Sequence, residues 1–206
     1  KSLEKYTGQE ITKTKIRQAV EVHNRNRRLL RQLYDLRKPN PPLVSGTEVL
    51  EMIVAGMTIP AAEFGDLLDA AIAEVKKRNH PAHPGARVMI YGSEIDDVAF
   101  VELTESCGAN VVMDDLCTGT RHFWHDVEAT LDPVDGIVER YLGKVVCPRT
   151  YRDRKATREE DFENRFSYLK QYAKDFNVDG VILYVIRYCD THELDAPDIR
   201  DYLEAA

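Results

Sequence analysis

The side chains best suited to chemistry follow directly on apolar, strand-like runs. Arg87-Val88-Met89-Ile90-Tyr91-Gly92 leads into Ser93 and Glu94. Asn110-Val111-Val112-Met113-Asp114 leads into Asp115, Cys117 and Thr118. Lys144-Val145-Val146 leads into Cys147, and Val181 to Tyr188 leads into Cys189, Asp190, Thr191 and His192. Ligands of open parallel sheets bind outside the carboxyl ends of the strands. These residues would therefore share one edge. Soft thiolates select zinc or iron–sulfur clusters. Cys189 is the leading ligand candidate, because Arg187 and Asp190 flank it and could stabilise a thiolate by charge and hydrogen bonding. Cys117 and Cys147 are secondary candidates. Ser93, Glu94, Asp114, Thr118, Arg187, Asp190 and His192 are candidates to line the site.

Spacing alone does not decide for a metal. The cysteines stand 10, 30 and 42 residues apart, and no C-x-x-C occurs. That matches no local zinc or ferredoxin pattern, so inert thiols stay open. Cys107, before Gly108 at a helix end, reads as structural. His122 and His125 are three apart on an expected helix, beside Phe123 and Trp124, which favours packing over ligation. His80 and His83 flank prolines and read as loop. Asp115 reads as a helix cap. Neither G-x-G-x-x-G nor G-x-x-x-x-G-K-[ST] is present, so a nucleotide-binding α/β module of those types has little support.

The elements that must position these residues change character near residue 80. Before it the pattern is helical. Apolar residues recur from Ile16 to Leu36, and Pro39, Pro41 and Pro42 end that helix. Ser45-Gly46-Thr47-Glu48 has capping-box form. Thr58-Ile59-Pro60 opens another helix, with Leu68, Ile72 and Val75 on its stripe. Asn79 to Gly85 is rich in proline and reads as a linker. Strands and helices then alternate. Phe162, Phe166, Leu169, Ala173 and Phe176 mark a one-sided helix, and a last helix is expected from Asp195 to Leu203. Strands apolar on both faces imply a covered parallel sheet. The expected fold is an α/β, open, doubly wound, flavodoxin-like sheet preceded by a helical segment. The expected divisions are a helical segment at 1–80, a linker at 81–85 and an α/β domain at 86–206.

Charge and composition narrow the classes. The chain has 206 residues and a net charge of −7. The first 40 residues carry 11 Lys+Arg against 4 Asp+Glu, so the remainder is strongly acidic. A basic helical segment docking on an acidic body accounts for this better than a nucleic-acid arm. No nucleic-acid partner is expected. No apolar run approaches the ~20 residues of a membrane span. No signal peptide is recognisable, which suggests the cytoplasm. A start at Lys1 rather than Met suggests a piece of a longer protein.

Two segments together carry a family resemblance. One is Asn177-Val178-Asp179-Gly180-Val181-Ile182 continuing to Arg187-Tyr188-Cys189-Asp190-Thr191-His192-Glu193-Leu194-Asp195. The other is Gly108-Ala109-Asn110-Val111-Val112-Met113-Asp114-Asp115-Leu116-Cys117-Thr118-Gly119. Asn24, Asn26 and Arg27-Arg28-Leu29-Leu30 fit as well. The chain resembles the cluster-bearing subunits of 2-hydroxyacyl-CoA dehydratases and ATP-dependent benzoyl-CoA reductases over nearly its whole length. The resemblance implies a [4Fe-4S] cluster, a homologous second subunit, an ATP-dependent iron–sulfur activator protein and a CoA-thioester substrate. It implies low-potential electron transfer to the thioester, for dehydration through a ketyl radical anion or for ring reduction. By motif position Cys189 matches the ligand from the family's C-terminal domain, the other ligands lying in an N-terminal domain outside this chain. The contrasting reading is a cluster-free partner or scaffold that keeps only the fold.

Overall fold

The computed structural model describes residues 1–78, 84–148 and 150–205. His80, His83 and most of the expected 81–85 linker lie outside them. Helices α1 (Ser2–Thr7), α2 (Lys13–Asp35), α3 (Gly46–Gly56) and α4 (Ala61–Val75) come first. Then follow β1 (Ala86–Gly92), α5 (Val98–Ser106), β2 (Ala109–Asp115), α6 (Thr120–Phe123), α7 (Pro133–Val138), a π-helical turn (Glu139–Lys144), α8 (Arg158–Asp175), β3 (Gly180–Tyr184) and α9 (Asp190–Glu204). No described helix is long and apolar enough to cross a membrane.

The three strands run parallel in the order β2-β1-β3. Side chains alternate across a strand, so β1 feeds two cores. Met89 and Tyr91 join Leu33, Phe64, Leu68 and Leu169 on one face. Ile90 joins Leu50, Val101 and Val111 on the other. Full burial of each such side chain contributes about 1.5–3 kcal/mol. Helices thus cover both faces, as expected of a doubly wound, flavodoxin-like α/β sheet.

Two strand expectations need correction. Lys144–Cys147 is not a strand. The π-helical turn ends at Lys144 and the next residues are irregular. The buried Arg140 side chain holds this turn by donating to the carbonyls of His125 and His122. β3 also stops at Tyr184, where its partner β1 ends at Gly92. A Cβ on Gly92 would lie 1.8 Å from the Tyr184 carbonyl oxygen. Tyr188 then takes φ 73°, turning the chain so that α9 starts at Asp190, earlier than expected.

A bulge in β2 aims its last two residues. Val88 pairs with Val111 but Met89 pairs with Met113, leaving Val112 extra. The shift reverses the alternation beyond it. Asp115 therefore pairs with Tyr91 and shares its face, while Asp114 pairs with Ile90.

The basic first segment docks on later acids. Arg28 and Arg31 meet Asp126, Lys13 meets Asp132, and Arg25 meets Asp66. The Ser45–Glu48 capping box forms as expected. Arg87 is the deeper staple. It is buried and donates to the carbonyls of Phe176 (2.7 Å), Arg37 (2.8 Å) and Pro39 (3.0 Å). This joins the start of β1 to the end of α2 and the entry to β3. Arg87→Met orphans those carbonyls, so a loss of about 3 kcal/mol or more is expected in urea unfolding. A loss below about 1 kcal/mol would show that Arg87 is no staple.

Candidate functional site

The expected sheet edge does gather a polar network, but its centre is Arg121. Asp115, buried by the β2 bulge, accepts from Arg121 Nη2 at 2.7 Å and Nε at 3.1 Å. Tyr168 of α8 donates its hydroxyl to the same carboxylate at 2.7 Å. The guanidinium then reaches the other strand ends. Arg121 Nη1 donates to the Gly92 carbonyl at 2.7 Å and lies 2.9 Å from His192 Nε2. It also lies 3.7 Å from Cys117 Sγ. His192 Nδ1 in turn lies 3.1 Å from Cys189 Sγ.

This chain of contacts fixes a tautomer. Arginine has donors and no acceptor. His192 Nε2 facing Arg121 must therefore be the acceptor. The ring proton sits on Nδ1, which donates to Cys189 Sγ. Cys189 occupies the N-cap position of α9, and its carbonyl accepts from the backbone N–H groups of His192 and Glu193. One helical turn thus fixes both the sulfur and the ring that bonds it.

Burial and charge tune the neighbouring groups. Burial alone would lower Arg121, but the Asp115 carboxylate holds it above its ordinary value. Burial, and then the Asp115 charge, push the Tyr168 and Tyr91 phenols up. Desolvation raises the Cys117 thiol, with Arg121 working against it.

The sequence candidates fall in different places. His192 is 2 % exposed and lies in the network. Cys117 is exposed at its margin. Cys147 is half-buried and lines a small hollow with Tyr91, Arg165 and Tyr168. Ser93 is buried beside the network, and its carbonyl accepts from Cys117 N–H at 2.8 Å. Thr118 locks the loops through Ile95, donating to its carbonyl at 2.8 Å. Glu94, Arg187 and Asp190 are exposed.

The two aspartates exchange expected roles. Asp114, not Asp115, takes the Thr120 N–H at the start of α6, at 3.0 Å. Asp114 also bonds the Tyr34 hydroxyl and pairs with Arg37 at 3.6 Å. Burial raises its carboxyl against those partners. Cys107 is exposed rather than packed. His122 and His125 do not share a helix, and burial lowers both rings. Sequence reasoning missed Arg121 and Tyr168. The only local signal was an arginine six residues beyond a strand-terminal aspartate.

A four-iron cluster needs a set of cysteine thiolates. Among the described residues, no three His, Cys, Asp or Glu side chains group as a metal site. They do not fit a complete cluster. Cys189 supplies one oriented sulfur.

The family model described as 2-hydroxyglutaryl-CoA dehydratase, D-component, matches residues 1–206. The chain belongs to this family. It is 27 % identical to a benzoyl-CoA reductase subunit of Thauera aromatica over 201 residues, covering 97 % of this chain and 50 % of that one. It is 22 % identical to the (R)-phenyllactyl-CoA dehydratase beta subunit of Clostridium sporogenes over 204 residues, covering 99 % and 52 %. It is also 22 % identical to the beta subunit of (R)-2-hydroxyglutaryl-CoA dehydratase of Acidaminococcus fermentans, covering 98 % and 52 %. The chain spans about half the length of the curated relatives it matches. For this family member, long-range nitrogen NMR of the metal-free protein should show His192 protonated on Nδ1. Arg121→Met should release the ring to a tautomer mixture. A ring already protonated on Nε2, or one unmoved by Arg121→Met, would contradict the relay.

Proposed function

We propose that the chain is part of an iron–sulfur subunit of an enzyme acting on a CoA thioester. The reaction would be dehydration of a 2-hydroxyacyl-CoA or reduction of a benzoyl-CoA ring. The observation that carries this reading is the placement of Cys189. It sits at the N-cap of α9 with its sulfur 3.1 Å from His192 Nδ1, and the ring is held in turn by Arg121. Metal-bound thiolates are tuned by hydrogen bonds of this kind.

A [4Fe-4S] cluster supplies one-electron transfer at low potential. In this reading Cys189 is one ligand, and other ligands come from the part of the relatives' length that this chain does not span. Arg121 and His192 orient the sulfur. Tyr168 and Asp115 hold the guanidinium. The relatives are named as subunits, which supports a homologous second subunit here. An ATP-dependent iron–sulfur activator would deliver the electron. The cytoplasm suits a chain whose four cysteines form no disulfide.

The test is anaerobic reconstitution with iron and sulfide of the protein encoded by the whole gene. Wild type should take up cluster iron, and Cys189→Ala should lose most of it along with the visible absorption. Equal iron content and absorption in the two proteins would favour the cluster-free scaffold instead.

A further inference from the structure

Five large apolar side chains are exposed on one short stretch of the chain. Leu131, Val134, Val138, Tyr141 and Leu142 run along α7 and the π-helical turn, with Leu131 94 % and Leu142 72 % exposed. Their spacing of 3, 4, 3 and 1 residues puts them on one side of the helix. The opposite side, with Pro133, Gly136 and Arg140, is buried. A Cβ on Gly136 would lie 2.3 Å from the Glu128 carbonyl oxygen, and Arg140 holds the carbonyls of His125 and His122. The helix therefore cannot roll to bury its stripe. Tyr141 is oriented too, with the Arg140 guanidinium 4.7 Å from its ring centroid.

Charges of opposite sign are distributed along the stripe. Asp135 and Glu139 stand beside it, are exposed, and make no ion pair among the described residues. At the Leu131 end, exposed Arg17 of α2 donates to the Leu131 carbonyl at 2.7 Å. Arg17 makes no ion pair among the described residues either, and the neighbouring Asp132 is taken by Lys13 at 2.7 Å. Monomeric proteins rarely leave such an apolar patch open. The two acids beside it argue against an anionic lipid surface. A cation at one end and acids toward the other make the stripe self-complementary about a two-fold axis. We propose that this stripe is a docking surface for a second copy of this chain. With two α7 helices packed antiparallel, the axis falls between Val134 and Val138. Leu131 of each copy then meets Leu142 of the other, and Arg17 of each reaches Glu139 of the other. An oriented tyrosine among aliphatic side chains, rimmed by charges, is the usual make-up of such an interface.

The surface does not involve Cys189, so this pairing and the iron–sulfur reading can fail separately. Sedimentation velocity of the metal-free product of the whole gene tests it. The wild type should be a dimer at micromolar concentration, and so should Cys189→Ala. Leu142→Lys and Glu139→Arg, both at exposed positions, should leave the circular dichroism unchanged and weaken the dimer about tenfold or more. Arg17→Glu should weaken it similarly. Arg17→Glu combined with Glu139→Arg should recover most of that loss, because each copy then presents the exchanged pair to the other. A wild-type monomer throughout the micromolar range would overturn the proposal, whether the rest of the gene product covers the stripe or leaves it open. So would a dimer unmoved by Leu142→Lys, or a double exchange no tighter than the single reversals.

Discussion

The buried ion pair between Asp115 and Arg121 connects the elements that form the candidate site. Its carboxylate belongs to β2, its guanidinium to α6, and its contacts reach Gly92 at the end of β1 and His192 on α9. Breaking a buried pair by removing one partner costs about 3–5 kcal/mol, because the other charge is stranded. The pair is therefore weak evidence for stability by itself and strong evidence for a fixed arrangement. The β2 bulge at Val112 is its precondition. Without that extra residue Asp115 would face the opposite core.

Buried arginine recurs as a device throughout this chain. Arg87 ties β1 to α2 and to the entry of β3. Arg37 pairs with Asp114 and lies 3.8 Å over the Tyr34 ring. Arg140 anchors the π-helical turn on the carbonyls of His122 in α6 and His125 just after it. Arg87 and Arg37 join segments far apart in sequence, and Arg140 nearer ones, by presenting several donors at fixed angles. The first helices consequently share one buried cluster with the sheet. Leu33, Phe64, Met89 and Phe166 belong to it.

The parallel sense of the sheet, three of its four expected strands and most helices are legible in the sequence because they rest on periodicity. The Phe162–Phe166–Leu169 stripe of α8 and the Ser45–Glu48 capping box are local patterns with local causes. The short run Lys144–Cys147 misleads because β-branched residues there imply a strand, whereas Arg140 pins the preceding turn. The site is half legible. Cys189 and His192 follow the apolar run that the sequence marks as a strand, although β3 ends earlier, at Tyr184, and the resemblance singles out the cysteine. Arg121 is not legible, since its contact with His192 spans 71 residues. The exchange of roles between Asp114 and Asp115 depends on a bulge that no composition signal announces.

Family membership rests on a match over the whole chain, and the proposed chemistry rests on how one oriented sulfur, that of Cys189, is held. An anaerobic crystal structure of the iron- and sulfide-loaded product of the whole gene tests this most directly. The account predicts an anomalous iron peak bonded to Cys189 Sγ, with His192 Nδ1 still against the sulfur and Arg121 on Nε2. Iron bound elsewhere, with Cys189 Sγ unligated, would contradict it.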